Sequence, residues 1–189
     1  MNNTSYVFGI IGLPASGKGT VAEYLKSYYR ADTIKFSDML RKVLEKLEVE
    51  ASRDKLIALS EVLRDELGQD ILAHAVKMGV DRSDSNVIVI DGVRREGDIE
   101  IFKQLPNFHL IGIDADIRKR YERSKVRGEK PEESTLTFEA FEALEQRSTE
   151  LTAKALLGKA DLTLDNNGSF NDLYKQIDQY VETLGIQKV

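Results

Sequence analysis

Cysteine is missing from all 189 residues, which rules out disulfides and thiolate metal sites. The two histidines, His74 and His109, form no ligand cluster, so structural zinc is excluded too. Proline is scarce, and Pro14, Pro106 and Pro131 all fall between periodic segments. With no internal repeat, low-complexity tract or Pro/Gly/Ser linker, the chain reads as one domain spanning 1–189. A large excess of either charge is lacking as well. The 27 basic and 32 acidic residues leave a net charge of -5, so no global field draws a polyanion and nucleic acid is not an expected partner. Any recognition of phosphate must be local. No apolar run approaches the roughly 18 residues that a membrane span needs, so a membrane is not an expected partner either. The apolar run Val7 to Leu13 is followed, not preceded, by the first basic residue, Lys18, the reverse of a secretory signal. A cytoplasmic location is the expectation.

The 41% hydrophobic content suffices for one sizeable core. Short apolar runs at Tyr6 to Ile11, Thr33 to Phe36, Val87 to Ile90, Phe108 to Ile113 and Asp161 to Leu164 read as five strands separated by helical patterns. Val87-Ile88-Val89-Ile90 shows no polar alternation, as expected for a strand covered on both faces. Leu56, Leu59, Leu63 and Leu67 share one helical face. So do Phe170, Leu173, Ile177, Val181 and Leu184, and both faces ask for a sheet to cover. The fold class is therefore α/β, a doubly wound parallel five-stranded sheet. Such sheets bind ligands beyond the carboxyl ends of their strands, so the residues just after each apolar run carry the chemistry.

After the first strand comes Gly12-Leu13-Pro14-Ala15-Ser16-Gly17-Lys18-Gly19-Thr20, a G-x-x-x-x-G-K loop opening a helix. Backbone N–H groups of such a loop converge on phosphate, the lysine adds a point charge, and the helix presents its positive end. Gly12, Ala15, Ser16, Gly17, Lys18, Gly19 and Thr20 are thus the expected ligands of a nucleotide, ATP. Gly19 stands where a hydroxyl usually touches Mg2+, which leaves Thr20 and Asp91 as metal candidates. Asp91 ends the third apolar strand as a Walker-B-type carboxylate should, and Arg94 and Arg95 follow it, able to fork onto an acceptor phosphate. After the fourth strand, Arg120, Arg123 and Arg127 fall on one helical face, with a polar segment around Gly128 and Pro131 beyond them.

The form G-K-G-T resembles the adenylate kinase family, and so does Ser37-Asp38-Met39-Leu40-Arg41 after the second strand. That resemblance implies Asp38 and Arg41 at the acceptor, with Arg41 on its phosphate. Asp91-Gly92-Val93-Arg94 is similar to the Asp-Gly-Phe-Pro-Arg motif of that family, but Arg94 replaces the proline and Ile99 replaces the adenine-reading glutamine. AMP specificity does not carry over. Over nearly the whole chain the pattern resembles more closely an archaeal dephospho-CoA-kinase-like group related to the adenylate kinases, which places Asp-Gly-Ile-Arg at this point. That likeness implies a P-loop NTPase fold with an acceptor-binding helical insertion over about 37–80 and a short lid over about 120–140. It also implies lid arginines Arg123 and Arg127 acting in catalysis with Lys18 and Asp91, Arg147 as a further phosphate ligand, and Asn167 beside the donor's adenine.

Phosphoryl transfer asks a protein for positioning and positive charge, and a P-loop with arginines at three strand ends is that inventory. A GTPase-type switch is disfavoured because no Asn-Lys-x-Asp guanine reader is present. The expected partner is a small phosphate-bearing acceptor, a nucleoside or deoxynucleoside monophosphate or dephospho-CoA. A nucleotide-binding regulatory module without turnover stands as the alternative of another class. Oligomeric state is not legible.

Overall fold

The computed structural model describes residues 5–127, 136–146 and 148–189. Five strands, β1 (Tyr6–Ile11), β2 (Asp32–Lys35), β3 (Val87–Asp91), β4 (Phe108–Asp114) and β5 (Leu162–Asp165), form one sheet in the order β2-β3-β1-β4-β5. Every neighbouring pair is parallel. The strand boundaries lie within one residue of those expected. Parallel strands need crossovers, and the crossover helices cover both faces, which is why β3 can be apolar throughout.

The period-2 alternation of the strands sorts the core into two halves. Val7, Ile11, Ile88, Ile90 and Leu110 point to one face, where they meet α2 (Phe36–Lys46), α4 (Ile71–Asp81), α5 (Glu96–Phe102) and α8 (Ser148–Leu157). Phe8, Ile10, Val87, Val89, Ile111 and Ile113 point to the other and meet α1 (Lys18–Tyr29) and α9 (Phe170–Thr183). Each of these fully buried side chains contributes about 1.5–3 kcal/mol. The start of α9 is fixed by a capping box in which Ser169 Oγ accepts from the Asp172 N–H and the Asp172 carboxylate accepts from the Ser169 N–H. The Ser169 hydroxyl, donating to the same carboxylate at 2.7 Å, and then the Ser169 N–H hold the Asp172 carboxyl below its ordinary range.

One expectation about packing needs correction. The leucine face of α3 (Arg53–Leu67) packs chiefly on α2 and α4, not on the sheet, and Leu67 is 61% exposed. Helical spacing shows that a face is covered, but it does not say by what. Three helices, α2 to α4, thus fill the stretch between β2 and β3 where an insertion was expected. On the other side of the chain, α6 (Ile117–Arg127) packs on α7 (Phe138–Leu144) through Tyr121, whose ring meets Phe138 edge-on at 5.5 Å. Residues 128–135, the expected lid tip around Gly128 and Pro131, lie outside the described residues. No helix among the described residues is long and apolar enough to cross a membrane.

Parallel strands all end at one edge, so the loops after β1, β3, β4 and β5 are neighbours in space. In that order β1 ends between β3 and β4. Ile90→Ala should destabilise the protein by about 2–5 kcal/mol through a cavity in a fully buried strand. Leu67→Ala should stay within about 0.5 kcal/mol, as exposed substitutions do. Urea unfolding followed by circular dichroism separates the two, and a comparable loss for both would return Leu67 to the core.

Candidate active site

The loop from β1 into α1 is shaped by left-handed backbone at Ala15 (φ 58) and Gly17 (φ 112) and by the positive φ of Gly12 (φ 157). A Cβ on Gly12 would sit 2.5 Å from Ser16 Oγ and 2.6 Å from the Ile113 carbonyl of β4, and one on Gly17 would run into the Asn166 amide. Neither position can carry a side chain. Ala15 bears the strain of a left-handed residue without glycine's freedom, a cost that collects at ligand-binding turns. Helix α1 opens directly at Lys18 with no side-chain cap and no acidic residue in its first turn. Its first N–H groups and its dipole are therefore left for an anionic ligand. The Lys18 ammonium lies back on the loop, donating to the Gly12 and Leu13 carbonyls at 2.7 and 3.0 Å. Ser16 Oγ is buried with no hydrogen-bond partner.

Two residues brace this loop: Asn166, which sequence reasoning passed over, and Arg120, which it placed only on the basic face of α6. Asn166, 3% exposed beyond β5, donates from Nδ2 to the Ser16 carbonyl at 2.7 Å, and its own N–H is held by the Asp114 carbonyl at 2.8 Å. Arg120, buried in α6, donates to the Ala115 carbonyl at 2.9 Å and the Pro14 carbonyl at 3.4 Å and pairs with Glu145. Asn167, the residue picked from sequence, is exposed and ties its own loop to the one between β4 and α6. Its Oδ1 accepts from the Asp116 N–H at 2.8 Å and its Nδ2 donates to Asp165 at 2.6 Å. No local pattern distinguishes Asn166 from Asn167. Only the three-dimensional approach of β5 to the loop does.

A cavity of about 500 Å³ opens beside the loop, lined by Ala15, Gly17, Gly19, Thr20, Arg123 and Phe170 among others. Arg123 donates from one Nη to the Asn166 carbonyl at 2.8 Å, while the other Nη is buried without a partner. Phe170 was expected on the apolar face of α9. It is instead 62% exposed at the cavity wall, stacked on Tyr174, which stacks in turn on Tyr24 at 4.0 Å. The geometry thus sets Arg123 at this cavity, where a flat ring could lie between a guanidinium and an aromatic ring.

A second cavity, of about 610 Å³, lies at the end of β3 between α2 and α3. Asp91, Arg94 and Arg95 line it as expected, and so do Lys35, Arg53 and Arg64, which were not. Arg64 is buried against Asp98 at 3.1 Å, and Asp98 also accepts the N–H groups of Arg94 and Arg95 at 3.5 and 3.3 Å. Burial pushes the Asp98 carboxyl above its ordinary range, against the pull of the Arg64 guanidinium and the two N–H groups. Arg94 is held at 3.1 Å by Glu150, a carboxylate only 4% exposed, and Arg95 donates to Gln69 at 2.5 Å.

Not every candidate comes together here. Arg41 is exposed, reaches the Ala51 carbonyl at 3.5 Å and does not line this cavity, and Asp38 is likewise exposed outside it. The amphipathic register of α2 buries Phe36, Leu40 and Leu44, which turns Arg41 away. Thr20 lines the cavity beside the loop, and Asp91 lines the one at the end of β3. Among the described residues no group of three or more His, Asp or Glu is placed to hold a metal. The Arg127 side chain and Arg147 lie outside the described residues.

An all-parallel sheet in this order with a phosphate-type loop leaving its central strand defines the P-loop kinase fold. The chain belongs to the AAA domain family, whose model matches residues 11–155. Its curated relatives include the archaeal UPF0200 protein of Methanoculleus marisnigri, 28% identical over 95% of this chain and 97% of the relative. Another is the UPF0200 protein of Methanoregula boonei, 26% identical over 94% and 97%. Among solved structures the fold is similar to TT1252 from Thermus thermophilus, with a TM-score of 0.62 and 19% identity over 95% of this chain and 98% of that one. It is also similar to shikimate kinase from Bacteroides thetaiotaomicron, with a TM-score of 0.63 and 11% identity over 95% and 98%. These likenesses bear out the fold and the archaeal resemblance.

Removing the Asn166 amide leaves the Ser16 carbonyl buried and unpaired, a loss of about 1–3 kcal/mol. Asn166→Ala should therefore lower stability in urea unfolding clearly more than Asn167→Ala, whose bonds are exposed and replaceable by water. Equal effects would mean that the brace is idle.

Proposed function

We propose that the protein is an ATP-dependent phosphotransferase that moves the γ-phosphoryl group to a phosphate-bearing small molecule of the nucleoside or deoxynucleoside monophosphate class. The observation that carries this reading is the position of the Gly12–Lys18 loop between two cavities. One is walled by Arg123 and Phe170, and the other is lined by arginines at the end of β3. A binding module needs only the first. A transferase needs a second compartment, with guanidinium groups for the acceptor's phosphate.

In this reading the donor's base lies between Arg123 and Phe170 and its phosphates lie on the loop amides and the start of α1. Lys18 leaves the Gly12 and Leu13 carbonyls for the β- and γ-phosphates. The acceptor's phosphate lies against Arg94 and Arg95, held in place from behind by Glu150 and Asp98. Directed, preorganised charge of this kind is the main contribution that a protein makes to phosphoryl transfer. Mg2+ carried by the nucleotide would neutralise phosphate charge, and the half-buried Asp91 carboxylate is the group suited to orient its water shell. The Thr20 hydroxyl belongs to the donor side. Arg127, one turn beyond Arg123 in α6, is the arginine we assign to the migrating group. The helices over about 37–80 serve as the acceptor-binding insertion, and the segment over about 120–140 serves as the lid.

Dephospho-CoA is the second reading for the acceptor, favoured by the larger volume of its cavity, about 610 Å³ against about 500 Å³ on the donor side. Coupled ADP release across nucleoside and deoxynucleoside monophosphates and dephospho-CoA, with ATP and GTP as donors, tests both. ADP should form only with an acceptor present, and Lys18→Ala should abolish it with a thermal melt nearly unchanged. Acceptor-independent ADP release, or nucleotide binding with no turnover on any acceptor, would overturn the proposal.

The placement of Arg123 changes what its loss should do. A guanidinium that stacks on the donor base contributes binding common to ground and transition states, so Arg123→Ala should raise the KM for ATP by about tenfold with a smaller change in kcat. A drop of about 10²-fold or more in kcat at unchanged KM would instead return Arg123 to the transferring group.

A further inference from the structure

Resting on the proposal that the second cavity takes the acceptor, we infer that Glu61 reads the acceptor's base and that the preferred acceptor is a nucleoside monophosphate whose base carries an exocyclic amino group. Helix α3 turns one stripe toward the cavity, Arg53, Leu56, Ile57, Ser60, Glu61 and Arg64, at the three- and four-residue spacing of a helical face. Glu61 is the odd member of that stripe. The other charged groups of the lining are five cations and, at the end of β3, the Asp91 carboxylate, and Glu61 takes no ion pair or hydrogen bond with any described residue. Arg64, three residues on, does not neutralise it, because its guanidinium is committed to Asp98 and to the Gln69 carbonyl.

An unneutralised carboxylate would repel the acceptor's phosphate. It therefore faces the part of the ligand that is not phosphate. The same cavity is lined by Phe36, Leu40, Leu56, Ile57 and Leu72, an aliphatic and aromatic lining suited to the flat faces of a base and unsuited to a polyol, whose hydroxyls would face carbon. The hydroxyl nearest in sequence, that of Ser60, donates to the Ile57 carbonyl at 2.7 Å and so offers a ligand only its lone pairs. Glu61 and Ser60 together present acceptors and no donor. The complementary edge is one rich in N–H, as adenine and cytosine present through their amino groups. Hypoxanthine and uracil put a carbonyl oxygen at the same ring position, where it would meet a carboxylate oxygen, acceptor against acceptor.

The test is kcat/KM for two pairs of monophosphates that differ by amino for oxo, AMP against IMP and CMP against UMP, in the wild type and in Glu61→Gln. The amino member of each pair should be favoured by about ten- to a hundredfold, the range for hydrogen bonds to a charged group. Glu61→Gln, whose amide can also donate, should erase or reverse the preference while leaving the KM for ATP unchanged. Glu61 is exposed, so the variant should melt like the wild type. Monophosphates phosphorylated without regard to the amino group, or a preference that survives Glu61→Gln, would overturn the role of Glu61 and leave phosphoryl transfer standing. Turnover with dephospho-CoA but with none of the four monophosphates would overturn the inferred acceptor alone. Absence of turnover on all five and on the deoxynucleoside monophosphates would remove the proposed function as well.

Discussion

Gly12 and Gly17 have no room for a Cβ, and the geometry of the site follows from that constraint. Gly12 is closed in by the Ile113 carbonyl of β4, and Gly17 by the Asn166 amide arriving from β5. The phosphate loop is thus wedged by the two strands on one side of β1, so its left-handed backbone is imposed by the sheet and not by its own sequence alone. The same Asn166 presents its carbonyl to Arg123, so one residue sets both the loop's shape and one wall of the cavity beside it. Arg120 closes the frame from α6 by holding the Pro14 carbonyl. A loop fixed from three directions can leave the first N–H groups of α1 open to a ligand and lose little order, which is what an anion cradle requires.

Beyond β3 the organising group is a carboxylate, not a backbone turn. Asp98 is fully buried and gathers the Arg64 guanidinium and the N–H groups of Arg94 and Arg95 around itself. A buried ion pair adds little net stability, because desolvation offsets the attraction, but breaking one by removing a partner is costly. The arrangement is better understood as fixing direction. It holds the turn after Gly92 so that the arginines leave it toward the cavity, and Glu150 then fixes the Arg94 fork. Guanidiniums oriented before a ligand arrives need less reordering when it does.

The strands, their parallel arrangement and the phosphate loop were legible in sequence because each rests on a local signal: unbroken apolar runs, glycines at fixed spacing, and a lysine at the head of a helix. Asp91, Arg94 and Arg95 were legible because they directly follow a strand. Arg64, Asp98, Glu150 and Asn166 were not, since each works by meeting a residue 34 to 150 positions away. Arg41 illustrates the converse. A segment that matches a family pattern still turns its arginine outward when Phe36, Leu40 and Leu44 set the buried side of α2. Phe170 was misplaced for a related reason, because an aromatic at the first position of an apolar helical face can lie past the edge of the sheet, where it borders a cavity.

The charge pattern of the second cavity completes the argument from composition. Lys35, Arg53, Arg64, Arg94 and Arg95 are five cations, yet Asp91 and Glu61 share the lining and Asp98 and Glu150 stand directly behind it. The compartment is close to neutral although it is rich in guanidinium. A field of that size steers ligands weakly at long range, and beyond about 8 Å salt screens what remains. Discrimination must then come from short-range, directed contacts: forks that match a phosphate at one end and lone pairs that match an amino edge at the other. A protein with net charge -5 can in this way bind a small phosphate ester without attracting polyanions, because the attraction exists only where the shape and the hydrogen-bonding pattern are both met.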